Sequence, residues 1–147
     1  MAKIHAGVSE LRVSHVRLSG AARTSQGPAA YLLLFYAAEC GLKYAQLRRN
    51  NLRTTERLSE LDHDLVALIK NLRLPAAALG QPPPIRFSRD QKESCPASCA
   101  HQAWRYGVRI NEGDEARFVT WLQRICDVVR RTIYDPLGCP SIHLAGC

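Results

Sequence analysis

The run from Ala29 to Arg49, AAYLLLFYAAECGLKYAQLRR, limits what this chain can fold into more than any other stretch. Tyr31, Leu32, Leu34, Phe35, Ala38, Leu42 and Ala45 recur at three- and four-residue spacing, while Leu33, Tyr36 and Ala37 make the opposite side apolar too. A helix apolar nearly all round is either a core helix or a membrane span. A span wants about 18 or more uncharged apolar residues, and Glu39 and Lys43 interrupt the run too early for that. The stretch therefore reads as the central helix of a soluble bundle. Glu39 and Lys43 stand at i,i+4 with the glutamate first, the favourable order for a helical ion pair. Either they only support each other at the wall of the core, or the pair holds something in place there.

The flanking sequence supplies partners for such a helix, and 147 residues are enough for one compact domain with a sizeable core. Residues 1–13 read as a short strand or extended arm, and Ser14 is placed to cap a helix over His15–Thr24. Pro28 is well placed as the first residue of the central helix, which the Asn50-Asn51 pair ends. Thr54 or Thr55 can cap a third helix with Leu58, Leu61, Leu65, Leu68, Ile69 and Leu72 as its apolar stripe, and Leu74-Pro75 stops it. The short link between the second and third helices implies antiparallel neighbours. About residues 75–113 the periodicity is lost, which predicts a long irregular insertion with one helical turn around Ala100–Tyr106. Asp114 caps a last helix, Glu115–Tyr134, whose stripe is Phe118, Trp121, Leu122, Ile125, Val128, Val129 and Ile133. A C-terminal tail covers 135–147. The expected fold is all-α, an antiparallel four-helix bundle with an irregular loop insertion before the last helix.

Charge bears on partners more than on fold. With 20 Lys and Arg against 13 Asp and Glu, the net charge of +7 favours RNA or an acidic protein as partner. The start, MAKIHAGVSEL, lacks the apolar segment of a secretory signal and no stretch qualifies as a span, so the expected setting is cytoplasmic, without a membrane. The six cysteines are then expected to be reduced.

Four pieces of this pattern, AECGLK at Ala38–Lys43, HDLVALIKNL at His63–Leu72, WRYG at Trp104–Gly107 and the final FVTWLQRICDVVRRTI, together resemble the HEPN superfamily. These are small four-helix-bundle proteins of toxin–antitoxin, CRISPR and abortive-infection systems. The resemblance implies a homodimer or a subunit of a larger complex. It implies an RNA- or protein-binding module in bacterial defence or counter-defence, with a small helical subunit of a CRISPR-type ribonucleoprotein as one alternative. In active members it implies ribonuclease chemistry that requires no metal or other cofactor, through an Arg-x4–6-His motif near the start of the last helix. This chain departs from that pattern, because its last helix holds no histidine and the matching spacing, Arg57-x5-His63, falls on the third helix, so the expected module is non-catalytic, with a HEPN ribonuclease toxin as an alternative.

Cleavage of RNA without metal needs a group that moves the 2′-OH proton and a cation for the phosphorane charge, which His and Arg supply. Arg57 with His63 is one such pair, though six residues apart on a helix they lie about 120° off one face. His101 and Arg105, at i,i+4, are the second pair. Candidate RNA contacts are Arg48, Arg49, Arg53 and Arg105, with Trp104 and Tyr106 as flat surfaces for a base. The plainer readings are that the arginines answer the helix dipole, that Trp104 packs, and that His63 braces its helix. Finally, Cys95, Cys99 and His101 in the insertion and Cys139, His143 and Cys147 in the tail have ligand types suited to a structural zinc. A disulfide or free thiols would fit the same spacing.

Overall fold

The computed structural model describes residues 3–61, 63–74, 76–90 and 92–134. It is mostly helical: α1 Val8–Thr24, α2 Gly27–Arg49, a 3-10 segment Thr55–Leu61, α3 Leu65–Leu72, α4 Ala76–Leu79, α5 Ala100–Tyr106 and α6 Glu112–Tyr134. A small antiparallel hairpin interrupts them, β1 Ile85–Arg86 and β2 Ser94–Cys95, with Ile85 opposite Cys95 and Arg86 opposite Ser94. Among the described residues no helix is long and apolar enough to cross a membrane.

The apolar run is the buried spine that its pattern predicts. Phe35, Ala37, Ala38, Leu42 and Leu47 of α2 are wholly buried, and α1, α3, α5 and α6 all pack on this helix. α1 lies antiparallel to α2. Val119 lines one cleft with Tyr31 and Leu34, whereas Val129 meets Gly41, so α6 follows α2 in the same direction. The insertion carries the chain back to make that possible. Leu65, Leu68 and Leu72 of α3 and Phe118, Leu122, Ile125 and Val129 of α6 complete the main core.

Four local expectations are corrected. The N-terminal arm is helical from Val8, earlier than Ser14, because Glu10 reaches back to accept the Gly7 N–H (2.6 Å) and Leu11 seats against Tyr44, Leu47 and Leu58. Thr55 does not cap a long third helix. Its hydroxyl accepts the Ala6 N–H and its own N–H donates to the Ala6 carbonyl, both at 3.0 Å, which fastens the arm to the link after α2. The third helix is broken in two at His63, whose φ of +56° is left-handed, and Asp64 then caps α3 by accepting the Ala67 N–H at 3.0 Å. Asp114 is not the cap of the last helix either. Asn111 fills that role by accepting the Asp114 N–H at 3.1 Å, and the Asp114 carboxylate, wholly buried, takes Arg86 from β1 at 2.9 and 3.0 Å and Arg117 at 2.6 Å. These guanidinium bonds hold its carboxyl down at about 2, against the opposing effect of burial. The hairpin is thereby clamped to α6.

Candidate functional site

The polar residues of the apolar spine are where the separated motifs meet. Glu39 sits on α2 with only 6% exposure, so its charge must be answered locally. One oxygen, Oε1, does this three times: it lies 3.3 Å from Lys43 Nζ, 3.0 Å from the His63 backbone N and 2.7 Å from His63 Nδ1. The carboxylate is an acceptor, so Nδ1 carries the hydrogen and Nε2 of His63 is left to exchange a proton. The short range from carboxylate to ring also explains the left-handed backbone at His63, a conformation that costs roughly 1–2 kcal/mol for a side chain of this kind. Asn51 takes the same conformation after the end of α2 and Arg73 at the end of α3, where it is common. At His63 it turns the ring onto Glu39.

The second imidazole comes from α5. The rings of His63 and His101 lie 4.7 Å apart between centroids with planes 36° from parallel. Phe35 covers His101 at 5.0 Å, and Tyr36 stands 6.4 Å from His63 and 6.2 Å from His101. His101 is buried and its Nδ1 has no hydrogen-bond partner. Burial, then the neighbouring His63, push its pKa below the usual histidine value; the Ser98 carbonyl and Glu39 pull weakly the other way. The His63 side chain is about half exposed, at 48%, so this imidazole is the one that can meet a ligand. A neutral buried ring stacked on a half-exposed ring that a carboxylate orients can move a proton at His63 Nε2.

The remaining predicted residues divide cleanly. Arg105, exposed on the turn after His101, is close enough for its charge to bear on that ring, and its guanidinium lies 5.6 Å from the Tyr106 ring centre. Tyr106 is 70% exposed, an open flat surface. Arg48, Arg53 and Arg57 are exposed around the end of α2 and the link that follows. Arg49 is tied down, donating to the Leu72 carbonyl at the end of α3. Trp104 is not a stacking platform: it is buried between Tyr31 and Phe118, with Nε1 donating to Glu115 at 3.0 Å.

Of the zinc candidates, Cys95 and Cys99 lie side by side, and burial together with Cys99 pushes the Cys95 thiol up to about 12. The His101 ring packs on Phe35 and His63. Among the described residues no three His, Cys, Asp or Glu are arranged to hold a metal ion, while Cys139, His143 and Cys147 lie outside those residues. Glu39, Lys43 and Tyr36 were not among the predicted site residues. The signal for the first two was present in the sequence: a charged pair inside an otherwise apolar helix.

No protein-family model matches the chain, and neither a curated protein nor a solved structure matches it.

Proposed function

We propose that this chain is a HEPN-like helical module that acts on RNA in a bacterial defence or counter-defence system, with Glu39, His63 and His101 as a metal-independent acid–base centre. The observation that carries the reading is that His63, from the link before α3, and His101, from α5, bring their rings together beside a buried carboxylate that holds His63. Two of the four motifs behind the resemblance contribute to this one place, AECGLK with Glu39 and Lys43 and HDL with His63, and the helix that carries a third, WRY, supplies His101. In the proposed reaction, Nε2 of His63 takes the 2′-OH proton as that oxygen attacks phosphorus. Exposed Arg105 carries phosphorane charge, and the proton returns to the departing 5′ oxygen, leaving a 2′,3′-cyclic phosphate and a 5′ hydroxyl. Glu39 keeps the ring in the tautomer that this needs.

The test is cleavage of single-stranded RNA by the purified chain in EDTA. Wild type is expected to cut, and His63→Asn, which tolerates a left-handed backbone but has no imidazole, is expected to lose activity about 100-fold or more. Intact RNA with wild type, or equal cutting by the variant, would end the catalytic reading. A second reading has its own support: the exposed Arg48, Arg53, Arg57 and Arg105 with Tyr106 suit phosphate and base contacts without chemistry. It expects salt-sensitive RNA binding that survives His63→Asn and weakens in Arg53→Gln with Arg105→Gln.

A further inference from the structure

An open cavity of about 540 Å³ lies where the last turns of α1, the start of α2 and the middle of α6 meet. None of Glu39, His63 and His101 lines it. Its chemistry is unbalanced toward an anion. Gly27 turns the chain into α2 with a φ of +64° and Pro28 has no N–H, no side chain caps this helix, and its first turn holds no acid. The free N–H groups and the positive end of a 23-residue helix are therefore unanswered here. Arg23 from the last turn of α1 and Arg130 from α6 line the same space. The one acid on its wall, Asp127, is largely exposed and stands 3.6 Å from Arg130, which leaves a net positive charge.

An independent feature sits on the inner wall. Ser19 is only 6% exposed, and its hydroxyl makes no hydrogen bond to any oxygen or nitrogen. Among the described residues its one partner is the Cys126 thiol, which burial pushes up to about 12 while the Ser19 hydroxyl draws it the other way, and a neutral thiol is a weak partner. A buried hydroxyl held only by a thiol keeps the capacity for a stronger acceptor. Next to these groups the wall turns apolar, with Tyr31, Leu34 and Val119.

We propose that this cavity binds a small organic phosphate monoester. The phosphoryl group sits at the start of α2 between Arg23 and Arg130, Ser19 donates to it, and an apolar or aromatic body lies against Tyr31, Leu34 and Val119. A phosphate at a helix N-terminus uses the free N–H groups and the dipole together, and the cavity has the size usual for small-molecule sites.

The probe is phenyl phosphate, titrated calorimetrically into the full chain at low salt, with inorganic phosphate and phenol as arms lacking one half of the ligand. Phenyl phosphate is expected to bind, inorganic phosphate to bind more weakly and compete, and phenol not to bind. Arg23→Gln, at an exposed position, is expected to weaken phenyl phosphate about tenfold, and Ser19→Ala by several-fold. Glu39→Gln, remote from the cavity, is expected to bind like wild type. The proposal is overturned if phenyl phosphate gives no binding, if phenol binds as well, or if Arg23→Gln retains wild-type affinity. Loss of binding in Glu39→Gln would overturn it too, by placing the ligand at the histidine pair.

Discussion

Gly41, the glycine of AECGLK, offers the sharpest test of how α1, α2 and α6 fit together. A Cβ at this position would lie 2.7 Å from His15 Nδ1 and 2.7 Å from Val129 Cγ1, closer than such atoms approach. His15 cannot simply yield. It is 2% exposed, and Nδ1 donates to the Ala37 carbonyl at 2.8 Å, so moving the ring leaves a buried donor without its acceptor. Gly41→Ala thus combines overpacking, about 1–3 kcal/mol, with a lost buried hydrogen bond, about 1–3 kcal/mol. Against this stands the gain of alanine over glycine in a helix interior, about 1 kcal/mol. The sum is a net loss of about 3 kcal/mol, which at this chain length lowers the melting temperature by roughly 6–12 °C.

The control is the same substitution one helix away. At Gly20 in α1 a Cβ would meet nothing within 4 Å, so Gly20→Ala is expected to stabilise by about 0.5–1 kcal/mol. Urea midpoints and thermal melts of the two variants should move in opposite directions. A Gly41→Ala protein as stable as wild type would refute the close packing of α1 and α6 on this face of α2.

Other outcomes follow from the buried polar groups. His15 and His101 both have pKa values below the ordinary histidine value, chiefly through burial, so the folded state binds fewer protons than the unfolded one. Their contribution is complete above the unfolded value of about 6.5 and drains away as pH falls below it; urea midpoints should drop from pH 7.5 to pH 5, with a shallower slope in His15→Gln. Asp114→Ala releases Arg86 and Arg117, and because both guanidinium groups can rehydrate, the expected cost is about 2 kcal/mol in denaturant melts. Asp114 also ionises only near 2 when folded, so its share of stability persists down to about pH 4 and is lost below that. Trp104→Phe removes the bond to Glu115 and part of a buried ring system, and is expected to cost about 2–3 kcal/mol.

What was legible in the sequence depended on the range of the interaction. The spine at Ala29–Arg49 and the stripe of α6 follow from spacing within one element, and both helices are present, as is the helical turn expected at Ala100–Tyr106. The early start of α1 was not legible, since it rests on Glu10 reaching the Gly7 N–H and on Leu11 finding the pocket made by Tyr44, Leu47 and Leu58. The hairpin has two residues in each strand, too few for an alternation to register. Asp114 looks like a cap because its position before an apolar stripe is right, but the arginine it answers lies in the hairpin. The break at His63 is of the same kind. Leu58, Leu61 and Leu65 keep helical spacing across it, and only the distant Glu39 carboxylate accounts for the turn.

That break is also where bracing and chemistry can be told apart. If Glu39 serves only to hold the link before α3, its essential contact is with the His63 N–H; if it serves the ring, its essential contact is with Nδ1. Glu39→Gln discriminates between them. The amide oxygen can still accept the backbone N–H, so the brace survives, at a cost of about 1–2 kcal/mol from the weaker bond and the loss of the Lys43 pair. The same oxygen can still accept Nδ1–H, so the tautomer is kept, but the negative charge that stabilises the ring once Nε2 has taken a proton is gone. An acid–base centre therefore predicts a melting temperature lowered by only about 2–8 °C, with RNA cleavage reduced by about 100-fold or more. A brace alone predicts that whatever function the chain has declines only as far as its stability does. Equal cleavage by Glu39→Gln and wild type would remove Glu39 from the reaction and leave His63 held in place for the sake of the fold.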